Sequence, residues 1–385
     1  MAQNAVGRLF RSQNSTTLRQ SIGSLTQTRN ASRNGMSIVV CIGCFSSSAN
    51  GGTNKASAAI PTFQQTSSPE LDQALTRFRE ELFIPFGLGQ DQRRLMFRQK
   101  YADRLEQEPV TANISEDEDF LLRPMDPQSR PTLKEAAEVI SLMQSKEDWK
   151  NLVPFLSGLQ LAKRHLKPSR LEWLVRKAGE HNALNSVVEC AKQAEKTGVR
   201  LNEVGIVQRL FFELHRKAQK AEFQGQEVTK AFNMATQLVG LMERPAHAQH
   251  DVMADPKRKP FVAGTLLELS AARALSEFEG KDQGGLVRIY SSRVLGCWKM
   301  GNFASDVQDW RAVDKMLQEN VPIYNGMKLA LKVQGIANDK AVAPGLKNRL
   351  NELGQLIAKQ KKSAPQEIQK NPSLGLEQAQ LLHED

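Results

Sequence analysis

Few residues in this chain are spaced to act on a substrate, and most of them are cysteines and histidines. Cys41 and Cys44 form a CxxC pair, the spacing of half a zinc site or of a redox dithiol. Structural zinc takes four ligands, usually as two spaced pairs. Cys190 and Cys297 stand alone in helical-looking segments, so the second pair is missing. His247-Ala-Gln-His250-Asp251 offers two imidazoles and a carboxylate at HxxH spacing. Pro245 and Pro256 bracket it, which predicts a surface loop and not a ligand-bearing helix face. His165 and His215 each stand beside an arginine, the pattern of a solvated polar face. Gly284-Gly285 lacks the flanking residues of a phosphate loop, and neither GxSxG nor HExxH occurs. Carboxylates cluster only at Glu116-Asp-Glu-Asp119. The expectation is a protein that is not an enzyme and uses no metal or cofactor.

Basic residues carry more information. Arg93, Arg94, Arg98, Lys100 and Arg104 crowd one segment together with Phe97 and Tyr101. Lys163, Arg164, His165, Lys167 and Arg170 surround a helix end and its turn. Pro256-Lys257-Arg258-Lys259-Pro260 is a proline-bounded basic loop, and Lys359, Lys361 and Lys362 end the last long helical segment. Dispersed cations of this kind suit nucleic-acid phosphates, which give affinity without reading sequence. Solubilising charge interleaved with acids produces similar patches. The candidate RNA-binding residues are therefore Arg93, Arg94, Arg98, Lys100, Lys163, Arg164, Lys167, Arg170, Lys257, Arg258 and Lys259.

The chain that must position them has 385 residues, 40% hydrophobic and 24% charged, enough for a buried core. No apolar run reaches the length of a membrane span. Lys and Arg total 52 against 42 acids, a net charge of +10. Arg8, Arg11, Arg19, Arg29, Arg33 and Lys55 precede the first acid, Glu70, so more than half of that excess lies at the start. The same stretch is rich in Ser and Thr, with Val6, Leu9, Phe10, Leu18, Ile22 and Leu25 at helical spacing. An acid-free, Arg-rich amphipathic start predicts a mitochondrial presequence over 1–68 and a matrix location. The apolar stretch Met36 to Phe45 is the rival secretory reading, but five arginines lie ahead of it. The remaining chain is nearly balanced in charge, so the high net charge is weak evidence for nucleic acid; no DNA partner is expected, and RNA contact rests on local patches.

From Pro69 onward the 3.6-residue period recurs and no strand alternation stands out, so the fold class is all-α. Leu71, Leu75, Phe78 and Leu82 mark a helix that stops before Pro85, and a second is expected from Asp91 to Leu105. Together they make an N-terminal arm, 69–107. Residues 108–131, with four prolines and the acidic run, read as a linker. A helical-hairpin domain follows over 132–362, then a polar, weakly helical tail over 363–385. Thr132-Leu-Lys-Glu135 and Ser145-Lys-Glu-Asp148 read as capping boxes, Gly198 as a helix-ending residue and Asn202 as a cap. Later helices are expected at 226–243, 261–279, 285–299, 304–319, 322–333 and 339–362.

Pro131, Pro168, Asn202 and Pro245 punctuate successive helix pairs at separations of 37, 34 and 43 residues. The clearest unit, Ser169 to Asn202, has a break at Ala178-Gly179 and closes on Thr197-Gly-Val-Arg-Leu-Asn202. That layout resembles a pentatricopeptide repeat, with Lys167-Pro168-Ser169 as the same turn one unit earlier. The resemblance covers about 132–245, is degenerate, and implies irregular helical hairpins in a solenoid; a plain helical bundle suits the same helices. In pentatricopeptide RNA readers, paired positions in each unit read one base, and the corresponding places here include Arg170, Leu171 and Asn202. One complete unit implies recognition of shape and backbone. The whole plan resembles fungal mitochondrial ribosome-associated proteins with degenerate repeats. That implies a structural or accessory component of the mitochondrial ribosome, contacting rRNA and neighbouring ribosomal proteins. Two alternatives share the organisation: an RNA-processing or translation-activating factor, and a respiratory-complex assembly factor.

Overall fold

The computed structural model describes residues 60–115 and 118–383. The Cys41–Cys44 pair and most of the segment read as a presequence lie outside them. Residues 60–68, grouped with that segment in the sequence reading, lie extended against the helical domain. Gln64 N–H donates to Asn151 Oδ1 at 2.8 Å, and Ser67 donates through N–H and Oγ to the Asp148 carboxylate, both at 2.8 Å. Phe63 closes the contact against Phe83 and Phe155.

Helix α1 (Pro69–Phe78) starts on a proline with Glu70 and Asp72 in its first turn, where the helix dipole favours acids. It continues through a π turn, Arg79–Phe83, and a short turn, Ile84–Gly87, that accommodates Pro85 near its start. The π turn buries the adjacent Leu82 and Phe83 together. Phe83 lies so close to Gly158 that a Cβ there would sit 2.5 Å from the ring. The expected second helix of the arm is split into α2 (Gln90–Phe97) and α3 (Ala102–Gln107), because Arg98 is extended.

The acidic linker holds a β-hairpin. Strands β1 (Thr111–Ser115) and β2 (Glu118–Leu121) pair antiparallel, Ala112 opposite Phe120. They share a small core with Ile84, Leu88, Met96, Leu105 and Leu122. Strands of five and four residues are too short for alternation to stand out among acids and prolines. Arg79 grips Glu118 through both terminal nitrogens at 2.8 and 2.6 Å, and this bidentate bond holds the Glu118 carboxyl below its usual range.

Five helix pairs follow: α4 (Leu133–Leu142) with α5 (Leu152–Leu161), α6 (Pro168–Glu180) with α7 (Leu184–Lys192), α8 (Val204–Lys220) with α9 (Gln226–Met242), α10 (Pro260–Glu277) with α11 (Leu286–Cys297), and α12 (Trp310–Ala330) with α13 (Ala343–Lys362). The first helices stack successively on one another. The second helices form the other layer, with Phe232 of α9 against Tyr290 of α11 at 6.3 Å. Both capping boxes form. Glu135 accepts from Thr132 N–H at 2.7 Å, and Asp148 accepts from Ser145 N–H at 2.8 Å, though the second opens a 3-10 turn. Asn202 does not cap α8: Glu203 holds that position, and the buried Asn202 Oδ1 has no hydrogen-bond partner. Helix α12 runs unbroken through Pro322, since its buried flank packs on α10.

The stretch read as a polar tail carries α14 (Leu374–Leu382), packed on α12 and α13 with Leu376 and Ala379 buried. A wholly buried polar cluster ties it down. His215 Nδ1 lies 2.8 Å from Glu268 Oε2, Asn325 Nδ2 donates to Glu268 Oε1 at 2.6 Å, and His215 Nε2 lies 3.2 Å from Gln378 Oε1. His215 thus joins α8, α10 and α14 in the core, not a solvated face. The neighbouring Arg216 keeps the polar edge of the same helix.

Candidate nucleic-acid interface

Stacking places the turns on two edges. Turns between pairs (162–167, 193–203 and 243–259) lie along one edge. Leu201 N–H donates to His247 Nδ1 at 3.0 Å, while His247 Nε2 lies 3.0 Å from Ala191 O. His247 is therefore a neutral, fully satisfied core histidine, and burial pushes its pKa down. A pocket of about 270 Å³ on this edge joins Arg164 and His165 to Glu195, Gly198 and Arg200. Gly198 closes the short helical turn Ala194–Thr197 at φ +75°, a left-handed conformation that suits glycine.

Most of the candidate cations gather here. Lys163, Lys167 and Arg170 are exposed, Arg164 is half-buried, and none has an acidic partner among the described residues. Arg130 links this turn to α2. Its guanidinium lies 4.2 Å over Phe97, and burial, with help from nearby Arg164, lowers its pKa. On α2 and the turn after it, Arg98 and Lys100 are exposed, Arg94 pairs with Asp91 at 3.0 Å, and Arg93 is half-buried. The loop 256–260 differs. Lys257 reaches Glu243 at 3.0 Å, Arg258 reaches Asp255 at 3.6 Å, and Lys259 donates to Met300 O at 3.4 Å.

Turns within pairs (143–151, 181–183 and 221–225) lie along the opposite edge, where the structure assembles cations that no sequence run shows. A cleft of about 720 Å³ is lined by Lys146, Lys150, Lys217, Lys220, Lys230 and Glu227. Glu227, its one acid, pairs with Lys230 at 2.6 Å and Lys217 at 3.1 Å. Lys146, Lys150 and Lys220 are exposed and have no acid partner among the described residues.

No group of His, Cys, Asp and Glu among the described residues is arranged to hold a metal ion. Cys190 is buried, and burial raises its thiol well above the usual range; Cys297 is pushed up to about 11. Neither is an activated nucleophile. No helix among the described residues is long and apolar enough to cross a membrane.

Residues 44–382 match the sequence profile of the family described as mitochondrial ribosomal protein mS27. The chain belongs to that family. It is also similar to the small ribosomal subunit protein mS27 of Neurospora crassa, 28% identical over 190 residues. That alignment spans 49% of this chain and 48% of the relative, so about half the length of that protein is matched. Within this mS27-family chain, the lysine cleft escapes sequence reading because its contributors are separated by up to about eighty residues. One signal was available: each lysine lies at or next to the turn inside a helix pair, so aligning the pairs brings them together.

Proposed function

We propose that the chain is a non-catalytic structural component of the small subunit of the mitochondrial ribosome, in the matrix. In this reading its stacked helices meet neighbouring ribosomal proteins and its basic edge contacts rRNA. The observation that carries it is the match to the mS27 family over 44–382, supported by the name of the Neurospora relative. Arg98, Lys100, Lys163, Arg164, Lys167 and Arg170 supply the RNA contact, because none of them has an acidic partner among the described residues. Arg93, Arg94, Lys257, Arg258 and Lys259 contribute less, being half-buried or engaged locally. The pentatricopeptide-like hairpins act as a scaffold and not as a base-reading code. Leu171, at a base-reading position, is buried in the core, and Asn202 is half-buried.

The test is sedimentation of the tagged chain from mitochondrial lysate, with EDTA to split the subunits. Co-migration with the small subunit, lost after ribonuclease, is expected. A protein confined to light fractions at low salt overturns the reading and favours an assembly factor.

A further inference from the structure

We propose that the lysine cleft on the within-pair edge is a second RNA site, one that takes the phosphodiester backbone without reading bases. The proposal rests on the ribosomal reading above and adds a surface on the opposite edge from the candidates found in sequence. Its lysines come from two helix pairs: the loop before α5 supplies Lys146 and Lys150, while the end of α8 supplies Lys217 and Lys220 and the first turns of α9 supply Lys230. The pair between them contributes Asn182 and Asn185. Five ammonium groups face one carboxylate, leaving the lining four charges positive. Solubilising lysines are ordinarily interleaved with acids; here like charges converge from segments far apart in sequence. Such convergence raises the local potential and concentrates a polyanion.

The chemistry favours phosphate over other anions and backbone over base edges. Lysine is a point charge that suits phosphate without the planar fork of arginine. Asn182 and Asn185 at the turn add amide donors, and the first turn of α7 opens on the cleft without an acidic residue or a side-chain cap. Among the described residues no aromatic side chain lines the cleft, so stacked bases find no platform from them. The volume, about 720 Å³, accommodates a run of backbone and not one isolated ion. The loop bearing Lys146 and Lys150 is held before any ligand arrives, because Asp148 accepts from Gln144 N–H, Ser145 N–H and Ser67. A pre-set loop loses little entropy on binding.

The test uses the full chain and a fluorescent single-stranded RNA oligonucleotide of mixed sequence, with affinity measured from 50 to 200 mM KCl. The variant carries Lys146→Ala, Lys150→Ala and Lys220→Ala, all at exposed positions where alanine leaves stability nearly unchanged. Expected are at least a tenfold loss of affinity at low salt and a salt dependence shallower by about two, three contacts at roughly 0.7 each. The corresponding triple Lys→Arg variant, which keeps the charge, retains binding. Wild-type affinity and slope in the alanine variant overturn the proposal. So does displacement of the RNA by polyglutamate at equal charge concentration, which assigns the cleft to an acidic protein segment. The two readings fail separately. A chain that does not co-sediment with the small subunit but binds RNA through these lysines sinks the ribosomal reading alone. A co-sedimenting chain whose RNA binding ignores them sinks the cleft alone.

Discussion

The loop 256–260 carries three cations and the lysine cleft five, and folding treats them in opposite ways. In the loop, three consecutive basic residues find Glu243, Asp255 and the Met300 carbonyl. In the cleft, lysines scattered between 146 and 230 meet over a single acid. A run of basic residues in sequence is visible but not thereby available, since its own turn and the adjoining helices supply counter-charges. The charge a partner can use is what remains after the fold has made its local pairs.

The largest test of that contrast is Asp148→Ala. This side chain is fully buried and accepts from Ser67 N–H and Oγ, Gln144 N–H and Ser145 N–H. Removing it leaves several buried donors unpaired, which costs about 3 kcal/mol or more by urea denaturation. RNA affinity of the cleft falls as well, though no positive charge is lost, because the loop of Lys146 and Lys150 loosens. If stability drops and affinity does not, the cleft's lysines do not depend on pre-set positions. The carboxyl also has an acid signature. Burial alone would raise its pKa, yet the hydrogen bonds from Ser67 and Ser145 overcome that and hold it at about 2, below its usual 3.8. A depressed carboxylate stabilises the fold above pH ~3.8, and that contribution, about 2 kcal/mol, disappears as the pH falls through 2.

The loop's side of the contrast is sharpened by Glu319, near Lys259. Burial pushes its carboxyl up to about 7 against the opposing pull of Lys259 and Lys315. An acid whose folded pKa is raised keeps its proton in the native state, so stability falls from pH ~4.5 to ~7 and levels off above. Glu319→Gln removes that slope. The stability of the variant relative to wild type should rise by about 1–2 kcal/mol between pH 4.5 and 7.5, allowing for partial exposure. A difference independent of pH overturns the assignment. Above pH 7 the ionised Glu319 offers Lys259 another counter-charge, so the loop has still less to offer a phosphate.

Much of this architecture was legible. The helix pairs from Leu133 onward follow from period, proline punctuation and capping boxes, and their stacking follows from apolar faces on both helices of each pair. What was not legible depended on contacts remote in sequence. The paired strands β1 and β2 are held by Ile84, Met96 and Leu105, and α14 is held by α12 and by His215. The strands are too short to announce themselves alone, and α14, though it carries Leu374, Leu376, Ala379, Leu381 and Leu382, is only nine residues long and flanked by polar residues. His215 looked solvated because Arg216 follows it, while its partners Glu268 and Gln378 lie on two other helices and Asn325, which donates to the same Glu268, on a third. The cleft was hidden for the same reason as the hairpin: its residues are neighbours only once the pairs are stacked.

A smaller effect follows from the cleft's one acid. Glu227 pairs with Lys217 and Lys230, which hold its carboxyl below the usual range through their hydrogen bonds. Glu227→Gln frees both lysines at once. RNA affinity at 50 mM salt should rise about two- to threefold and the salt dependence should steepen, with little gain at 200 mM. Fluorescence anisotropy at the two salt concentrations checks this. Unchanged binding would mean that Lys217 and Lys230 lie outside the path of the RNA.

The smallest expected effect bears most directly on the comparison. Lys257→Ala, Arg258→Ala and Lys259→Ala together remove the same charge as the cleft triple, from a sequence far more conspicuously basic. Each of these side chains already bonds Glu243, Asp255 or a carbonyl, so a phosphate would have to displace an existing partner. Exchanging one ion pair for another at a surface is worth little. The loop triple should therefore weaken RNA binding less than twofold and leave the salt slope near wild type. Removing its counter-charges, by Glu243→Gln with Asp255→Asn, should make the same loop bind. Equal losses from the loop and cleft triples would show that local pairing does not decide which cations reach the RNA. A silent loop that binds once its acids are removed would show that it does.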